Sequence, residues 1–570
     1  MSSKGTIGIP RALLTHSLYP MFSTFFDELG YEVILSDIDE EKELQTNAPF
    51  CFPIQILHGA VLDLIKREVD IIFVPHMHGM PTEGKWMDST FCPITQGSPY
   101  FIRQAFKDAK FLNPVLSFAK GYDSDKSLVK MAVKELKQPK NLAEKALQKA
   151  ISKQKAVEQQ FLDWGKEHLE KLKESNEIGI LLLGRSYNAF PPETSQLIPK
   201  KLSSMGVTVI PFDFLEKKHV DDIPWYFSNY VKMAIDMAAK NDNLFLLYIN
   251  SFSCTIDAFI QNYVRSEMKN KPYLFLELDA HTADAGTQTR LEAYLEIINN
   301  FQASKKAKEE KPFKVTQVKI RGGKVVVLTS DNKKLGIKDP RVKLYFPSFS
   351  KIHTDSFELL FNLLGYNVGE TTEIKIDYPV RGLRHCSGKE CLPLPIILGQ
   401  IMHLIENRKP GEVLGLYMFR GGSPCAVYSY FHFIEQFIKD NKLENFFIYR
   451  FDQLTDFLGT NRLTVAKYAT KSILIGDLMS EIENAIHVVG ENDSLELLHK
   501  YYSEFLNSST TLKEYIQNID KLIDNVATIP RKSSPMDLPK VLVSGDFFVR
   551  FSPFFLKELK EIYAKHNILV

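Results

Sequence analysis

The sequence of 570 residues is short of the features that mark specialised classes. Its formal charge is +1, which supplies no field to draw in DNA, RNA or an anionic membrane, so nucleic acid is excluded as a leading partner. No apolar run reaches the roughly 18 residues of a membrane helix. The start, "MSSKGTIGIPRALLTHS", lacks the apolar stretch and small-residue cleavage site of a secretion signal, which points to a soluble, cytoplasmic chain. There are only 6 cysteines, widely spread, and a chain of this size without such a signal is no disulfide scaffold. Metal binding, catalysis and plain burial remain open for them. No G-x4-G-K-[ST] phosphate loop occurs. "DAGT" at Asp284 to Thr287 is read as the start of a helix, since "QTRLEAYLEIINNF" after it is helical rather than a hairpin.

What is present is an ordinary globular composition, 44% hydrophobic and 24% charged, in a chain long enough for three or four domains. "TIGIPRALL" opens as a strand, and "MFSTFFDELGYEVILSD" reads as an apolar-faced helix from Met21, a stop at Gly30 and a strand through Val33 to Leu35. "AVLDLIKREVDIIFVP" adds a helix and a fully apolar strand of the kind buried in a parallel sheet. The expected class is α/β: multi-domain, duplicated Rossmann- or flavodoxin-like parallel-sheet units with long connecting helices. The expected boundaries are an α/β domain over 1–120, a helical connector over 121–175 and an α/β domain carrying Cys254 over 176–300. They continue with a linker and hairpin over 301–340, turning at Gly322-Gly323, a second-copy domain over 341–470, a connector over 471–535 and the start of a further α/β unit over 536–570.

The chain resembles itself. "FDELGYEV" (Phe26 to Val33) matches "FNLLGYNV" (Phe361 to Val368), and "CFPIQILHG" matches "CLPLPIILG", so that Cys51, Pro53 and Gly59 correspond to Cys391, Pro393 and Gly399. Each copy then has a second cysteine beside a proline, Cys92 in "FCPITQG" and Cys425 in "GGSPC". A third block, "IGILLLGRSYNAF" from Ile178, is echoed by "KVLVSGDFFVRF" from Lys540. Two copies of one architecture are expected, about 1–300 and 340–570. The counterpart of "NSFSCTIDAF", which carries Cys254, is absent from the second copy, so a lost element, a truncation or a split-chain partner all stay open.

A lone cysteine is more often a small buried hydrophobe than a ligand. Four of the six, however, fall in matched pairs beside Pro and Gly, neighbours that a core filler does not need. A proline stiffens the loop carrying a thiolate, and a glycine two turns later permits close backbone approach. Thiolates select zinc, copper(I) or iron–sulfur clusters. Zinc sites show close C-x2-4-C pairs, and the one close pair here, Cys386 and Cys391, has distant partners. Single cysteines converging from different strand ends suit an iron–sulfur cluster between domains better. His76 and His78 in "PHMHGM" would share a face of a strand and offer metal or substrate contacts, or no role at all. Arg185, just after Gly184, suits either an anion at a helix start or a structural salt bridge.

"IGIPRALLTHSLYPMFSTFFDELGYEVILSD", "CFPIQILHG", "FCPITQG", "GRSYNAF" and "NSFSCTIDAF" resemble the non-ATPase part of the large acyl-CoA dehydratase activases. They also resemble the wider superfamily of 2-hydroxyacyl-CoA dehydratases, benzoyl-CoA reductases and double-cubane cluster proteins. "ECLPLPIILG", "GGSPCAVYSY" and "VLVSGDFFVRF" extend the likeness into the second half. The resemblance implies an oxygen-sensitive protein with a 4Fe-4S cluster, up to a double cubane, reduced by a separate ATP-hydrolysing activator and acting on an acyl-CoA or small-molecule substrate. Carried over by position, Cys51, Cys92 and Cys254 would hold the first cluster. Cys391 and Cys425 would belong to the second, with Cys386 as a local replacement for its absent third ligand. Dimerisation stays open, and a non-catalytic, activase-associated scaffold with a degenerate second site is the rival expectation.

Overall fold

A computed structural model describes residues 4–37, 51–82, 89–175, 177–218, 225–252, 254–282, 284–303, 313–321, 324–347, 349–418, 425–450 and 462–570. The chain forms two compact units, Met1–Glu310 with Gly421–Ser429, and Lys311–Arg420 with Tyr430–Val570. It is a multi-domain α/β protein built on several parallel sheets.

The first unit begins β1 (Thr6–Ile9), α1 (Thr15–Glu28), β2 (Glu32–Leu35), α2 (Phe52–Lys66), β3 (Ile71–Phe73), β4 (His76–Gly79), α3 (Pro93–Ala105), β5 (Phe111–Leu112) and β6 (Val115–Ser117). Its main sheet has the order β2-β1-β3-β5, with every pair parallel. β4 and β6 form a small parallel pair of their own. Helix α1 starts at Thr15, before the expected Met21, and carries Pro20 inside it. Pro20 lacks an N–H for the helix ladder, but Leu18, Met21, Phe22, Phe25 and Phe26 are buried along one face, and that packing outweighs the local signal. Gly30 ends the turn with φ 88°, and Tyr31 N–H donates back to the Phe26 carbonyl at 3.1 Å, a glycine stop as expected.

After α4 (Ser127–Lys134) comes α5 (Lys140–Ser175), a long charged helix whose small face of Ala143, Ala146, Leu147 and Ala150 packs on α1. Gly165 lies so close to the Phe214 carbonyl that a Cβ would sit 1.9 Å from its oxygen. The chain then runs β7 (Gly179–Leu183), α6 (Ser186–Ala189), α7 (Pro192–Ser195), α8 (Ile198–Ser204), β8 (Thr208–Pro211), α9 (Tyr226–Lys240), β9 (Leu244–Ser251), α10 (Thr255–Glu267), β10 (Tyr273–Leu278) and α11 (Asp284–Ala303). Asp284 thus opens a helix, as read from the sequence. This second sheet has the order β8-β7-β9-β10, again all parallel. Every residue of β9 is buried. Leu244, Leu246 and Tyr248 face the core shared with the first sheet, while Phe245, Leu247 and Ile249 face a second core under Ile198 and Leu291, the two-sided burial of a central parallel strand.

The second unit opens with the antiparallel strands β11 (Gln317–Arg321) and β12 (Lys324–Leu328), where Arg321 pairs with Lys324, followed by β13 (Lys334–Gly336). The expected turn residues Gly322-Gly323, and all but the ends of the charged linker "ASKKAKEEKPF", lie outside the described residues. β14 (Val342–Tyr345), α12 (Lys351–Leu363), α13 (Tyr378–Leu383), α14 (Pro393–Glu406), β15 (Val413–Met418), α15 (Tyr430–Asp440) and β16 (Phe446–Arg450) follow. β14, β15 and β16 are parallel, and Val368 bridges Leu344 on the free side of β14, so the spatial order repeats that of the first sheet.

The duplication reaches single hydrogen bonds. Gly365 has φ 83°, Tyr366 N–H donates to the Phe361 carbonyl at 3.0 Å, and Lys338 Nζ reaches the Leu364 carbonyl as Lys4 Nζ reaches that of Leu29. Gly399 allows α14 against α13, where a Cβ would come 2.3 Å from the Tyr378 oxygen. Helices Arg462–Val489, Ser494–Ser508 and Leu512–Ala527 form a separate packed layer around Tyr515 and Leu498. The third block is echoed too. Lys540 bridges Leu569 in parallel, and Gly545 has φ 135° where Gly184 has 137°.

Candidate functional site

In the first unit a cavity of about 450 Å³ opens beyond the carboxyl ends of β7 and β9, the neighbouring strands at which the second sheet reverses its order. Parallel α/β sheets bind ligands at such switch points. Cys51, Cys92 and Cys254 all line this cavity, although they lie far apart in sequence. Each occupies the same local position, the residue immediately before a helix: Cys51 before α2, Cys92 before α3 and Cys254 before α10. Pro53 and Pro93 sit in the first turns of α2 and α3, where a missing N–H costs nothing. The Ile54 N–H donates to the Cys51 carbonyl at 2.9 Å and the Ala258 N–H to that of Cys254 at 3.1 Å, so the cysteines are held as helix caps. Three helix N-termini therefore point partial positive charge toward sulfur.

Arg185 supplies a full positive charge. Gly184 ends β7 with φ 137°, and a Cβ there would lie 2.3 Å from the Ile249 oxygen, so only glycine lets the chain turn here. The turn drives Arg185 into the interior, where Nη2 meets Asp257 Oδ1 at 2.6 Å and Nη1 and Nη2 lie 3.2 and 3.1 Å from Cys254 Sγ. The pair is buried, with side-chain exposures of 7% and 2%. Of the two readings held for Arg185, the structure displays the salt bridge. Burial opposes its charge, but the Asp257 carboxylate beside it holds the guanidinium protonated.

Burial pushes the Cys51 thiol up to about 11, with the neighbouring Cys92 adding to the shift and Arg185 opposing it. Burial pushes Cys254 up to about 12, again against Arg185. Cys51 and Cys254 thus keep their protons at neutral pH, and any metal that they bind must displace them.

Other lining groups were not visible as site residues in the sequence. Trp225 Nε1 and Ser251 Oγ are buried on the cavity wall with no hydrogen-bond partner. Leu13 and Trp225, two further lining residues, have φ of 48° and 74°, a left-handed conformation that side chains of this bulk rarely adopt and that collects at functional sites. Asp257 stood three residues after Cys254 in "SCTIDAF", the one signal that could have found it.

Cys425, expected with Cys391, instead lines this same cavity and belongs to the first unit. Cys386 and Cys391 lie in the second unit, on the loop between α13 and α14. There the Glu390 carboxylate accepts from the Ser387, Gly388 and Lys389 N–H groups at 3.0 to 3.2 Å, and Cys391 Sγ lies 2.7 Å from the Tyr430 hydroxyl. His76 and His78 do share a face of β4, where His76 packs edge-on against Tyr100 and His78 Nδ1 lies 3.5 Å from Ser117 Oγ. Neither histidine lines the cysteine cavity. Among the described residues no three His, Cys, Asp or Glu side chains gather closely enough to hold a single metal ion. No described helix is long and apolar enough to cross a membrane.

The donor set fits an anionic, sulfide-rich group: cysteines at helix N-termini, a buried guanidinium, and an indole N–H and a hydroxyl without hydrogen-bond partners on residues that line the cavity. A cubane also spreads its thiolates more widely than a single ion does, because each binds a different iron. Fold and site together define a parallel α/β protein with a cysteine-lined cleft at a sheet switch point. Residues 6–215 match the family described as the CoA enzyme activase uncharacterised domain, and this stretch is a CoA enzyme activase-related domain. It carries Cys51, Cys92 and Arg185, whereas Cys254 and Cys425 lie beyond it. No curated protein matches the chain.

Proposed function

We propose that the first unit is an iron–sulfur protein of the 2-hydroxyacyl-CoA dehydratase type, reduced by a separate ATP-hydrolysing activator. The observation that carries this reading is the meeting of Cys51, Cys92 and Cys254 around one cavity beside the buried Arg185. These three thiolates would hold a 4Fe-4S cluster, which when bound supplies low-potential one-electron chemistry for dehydration or reduction. The residues of the chain set its surroundings. Arg185 donates to Cys254 Sγ and offsets negative charge; Trp225 Nε1 and Ser251 Oγ, on residues of the wall, are buried donors without partners; Leu13 and Ile256 make part of that wall apolar. Burial and hydrogen bonds to sulfur are the levers that tune such potentials. Cys425, expected beside Cys391, lines the first unit's cavity instead, which leaves Cys386 and Cys391 as the cysteines of the second unit and favours one cluster per chain over a double cubane.

Anaerobic purification with iron and acid-labile sulfide analysis tests the reading. The expected result is a brown protein with about four irons per chain, the content of one cubane, whose electron paramagnetic resonance signal appears on reduction. Cys254→Ser is expected to lower that iron content. A colourless protein with stoichiometric zinc would end the proposal, and unchanged iron in Cys254→Ser would remove that residue from the ligand set. Reduction by a candidate activator with ATP, and none without it, is the expected behaviour toward the partner.

A further inference from the structure

Cys425 is the cysteine whose place the repeat does not explain. By repeat logic it pairs with Cys391, yet Gly421–Ser429 belong to the first compact unit, and Cys425 lines the cavity together with Cys51, Cys92 and Cys254. The following short helical turn, Ala426–Ser429, packs on α10, the helix that Cys254 caps. Tyr428 N–H closes the turn on the Cys425 carbonyl at 3.3 Å. Whereas the other three cysteines are partly buried, Cys425 is exposed while lining the same cavity.

We infer that Cys425 supplies a fourth thiolate to the group held by Cys51, Cys92 and Cys254, closing its coordination. The inference rests on the cluster part of the reading above and narrows it, replacing substrate chemistry at an open iron with electron transfer alone. A cubane has four irons, so three cysteines leave one iron open to an outside ligand and a fourth cysteine fills that position. Each thiol that binds iron releases its proton to solvent. With all four irons held by protein sulfur, the group passes single electrons but offers no open iron to a substrate oxygen. The first unit would then act as an electron relay, and any dehydration or reduction would take place on another protein.

The test uses the full chain and its Cys425→Ser variant, both reconstituted anaerobically with ferrous iron and sulfide. In the wild type, added cyanide is expected to leave the resonance of the reduced cluster unchanged, and brief air exposure is expected to produce little three-iron signal. Cys425→Ser is expected to keep most of its iron, to respond to cyanide, and to convert readily to the three-iron form. An independent arm needs no iron: dibromobimane on the metal-free chain should cross-link Cys425 to Cys51, Cys92 or Cys254, identified by peptide mass spectrometry. A wild-type cluster that already responds to cyanide, with an identical Cys425→Ser, would overturn the inference and leave the cluster reading standing. Iron of about eight per chain, falling to about four in the variant, would place Cys425 in a second cubane and also overturn it. A chain that takes up no iron and sulfide would refute both.

Discussion

Replacing Arg185 with methionine isolates the electrostatics of the cleft, because Met keeps most of the apolar stem and removes the charge. Asp257, with a side chain 2% exposed, would then stand in the interior without its 2.6 Å partner. Breaking a buried ion pair in this way costs about 3–5 kcal/mol. A second argument bounds the figure. The stranded carboxyl can escape by taking a proton, and holding a carboxyl of unfolded pKa near 3.9 protonated at pH 7 costs about 4 kcal/mol, at roughly 1.4 kcal/mol per pH unit. The destabilisation should therefore be at most about 3–4 kcal/mol at pH 7 and should shrink by up to about 1.4 kcal/mol for each unit as pH falls, because burial already raises the folded pKa of Asp257 against Arg185, removing Arg185 raises it further, and such a group loses stability as pH rises.

Arg185→Met/Asp257→Asn should recover most of the loss, since no charge is left stranded. The assay is urea unfolding of the metal-free chain at pH 5, 6 and 7, followed by tryptophan fluorescence. Of the 3 tryptophans, Trp164 and Trp225 belong to the first unit and Trp86 lies outside the described residues, so Trp164 and Trp225 report that unit. A loss below about 1 kcal/mol, or one of the same size at every pH, would refute the claim that Arg185 neutralises a buried carboxylate.

Further outcomes follow from other contacts. Glu358, 8% exposed and accepting from Thr371 N–H at 2.7 Å, is pushed up to about 7, first by burial. Its folded pKa lies above its unfolded value, so its contribution is full below about pH 4.5 and is lost as pH rises toward 7. Glu358→Gln, which keeps the acceptor without the charge, should stabilise the second unit by about 2–3 kcal/mol at pH 8 and change little at pH 4.5, read by circular dichroism during urea unfolding; equal effects at both pH values would contradict this. Gly165→Ala places a Cβ 1.9 Å from the Phe214 oxygen. Despite the better helix propensity of alanine, it should cost about 1–3 kcal/mol of first-unit stability in the fluorescence assay, and a stabilised variant would show that α5 can move away freely.

Much of the fold could be read from local pattern, because apolar runs, glycine stops and the Phe26–Val33 and Phe361–Val368 match reflect chemistry that acts within a few residues. The cysteines as candidate ligands were legible for the same reason. A proline one or two residues after Cys51, Cys92 and Cys391 marks the first turn of a helix that the cysteine precedes, and a helix start directs a thiol in a known way. Helix α1 shows the limit of such reading. The helix is expected only from Met21, yet it starts at Thr15 and runs through Pro20, with Leu18 and its neighbours buried and α1 packed on α5.

The sequence by itself determined the α/β class, that four cysteines stand beside Pro and Gly in matched pairs, and that one architecture occurs twice. Tertiary structure alone decided which of those cysteines meet. That Cys51, Cys92, Cys254 and Cys425 share one cavity depends on the order of strands in two parallel sheets and on Gly421–Ser429 joining the first unit. The Arg185–Asp257 pair likewise exists only because β7 and β9 lie side by side. Such meetings join residues tens to hundreds of positions apart, and no short-range preference of the chain encodes them, since packing sets them only once whole sheets have formed.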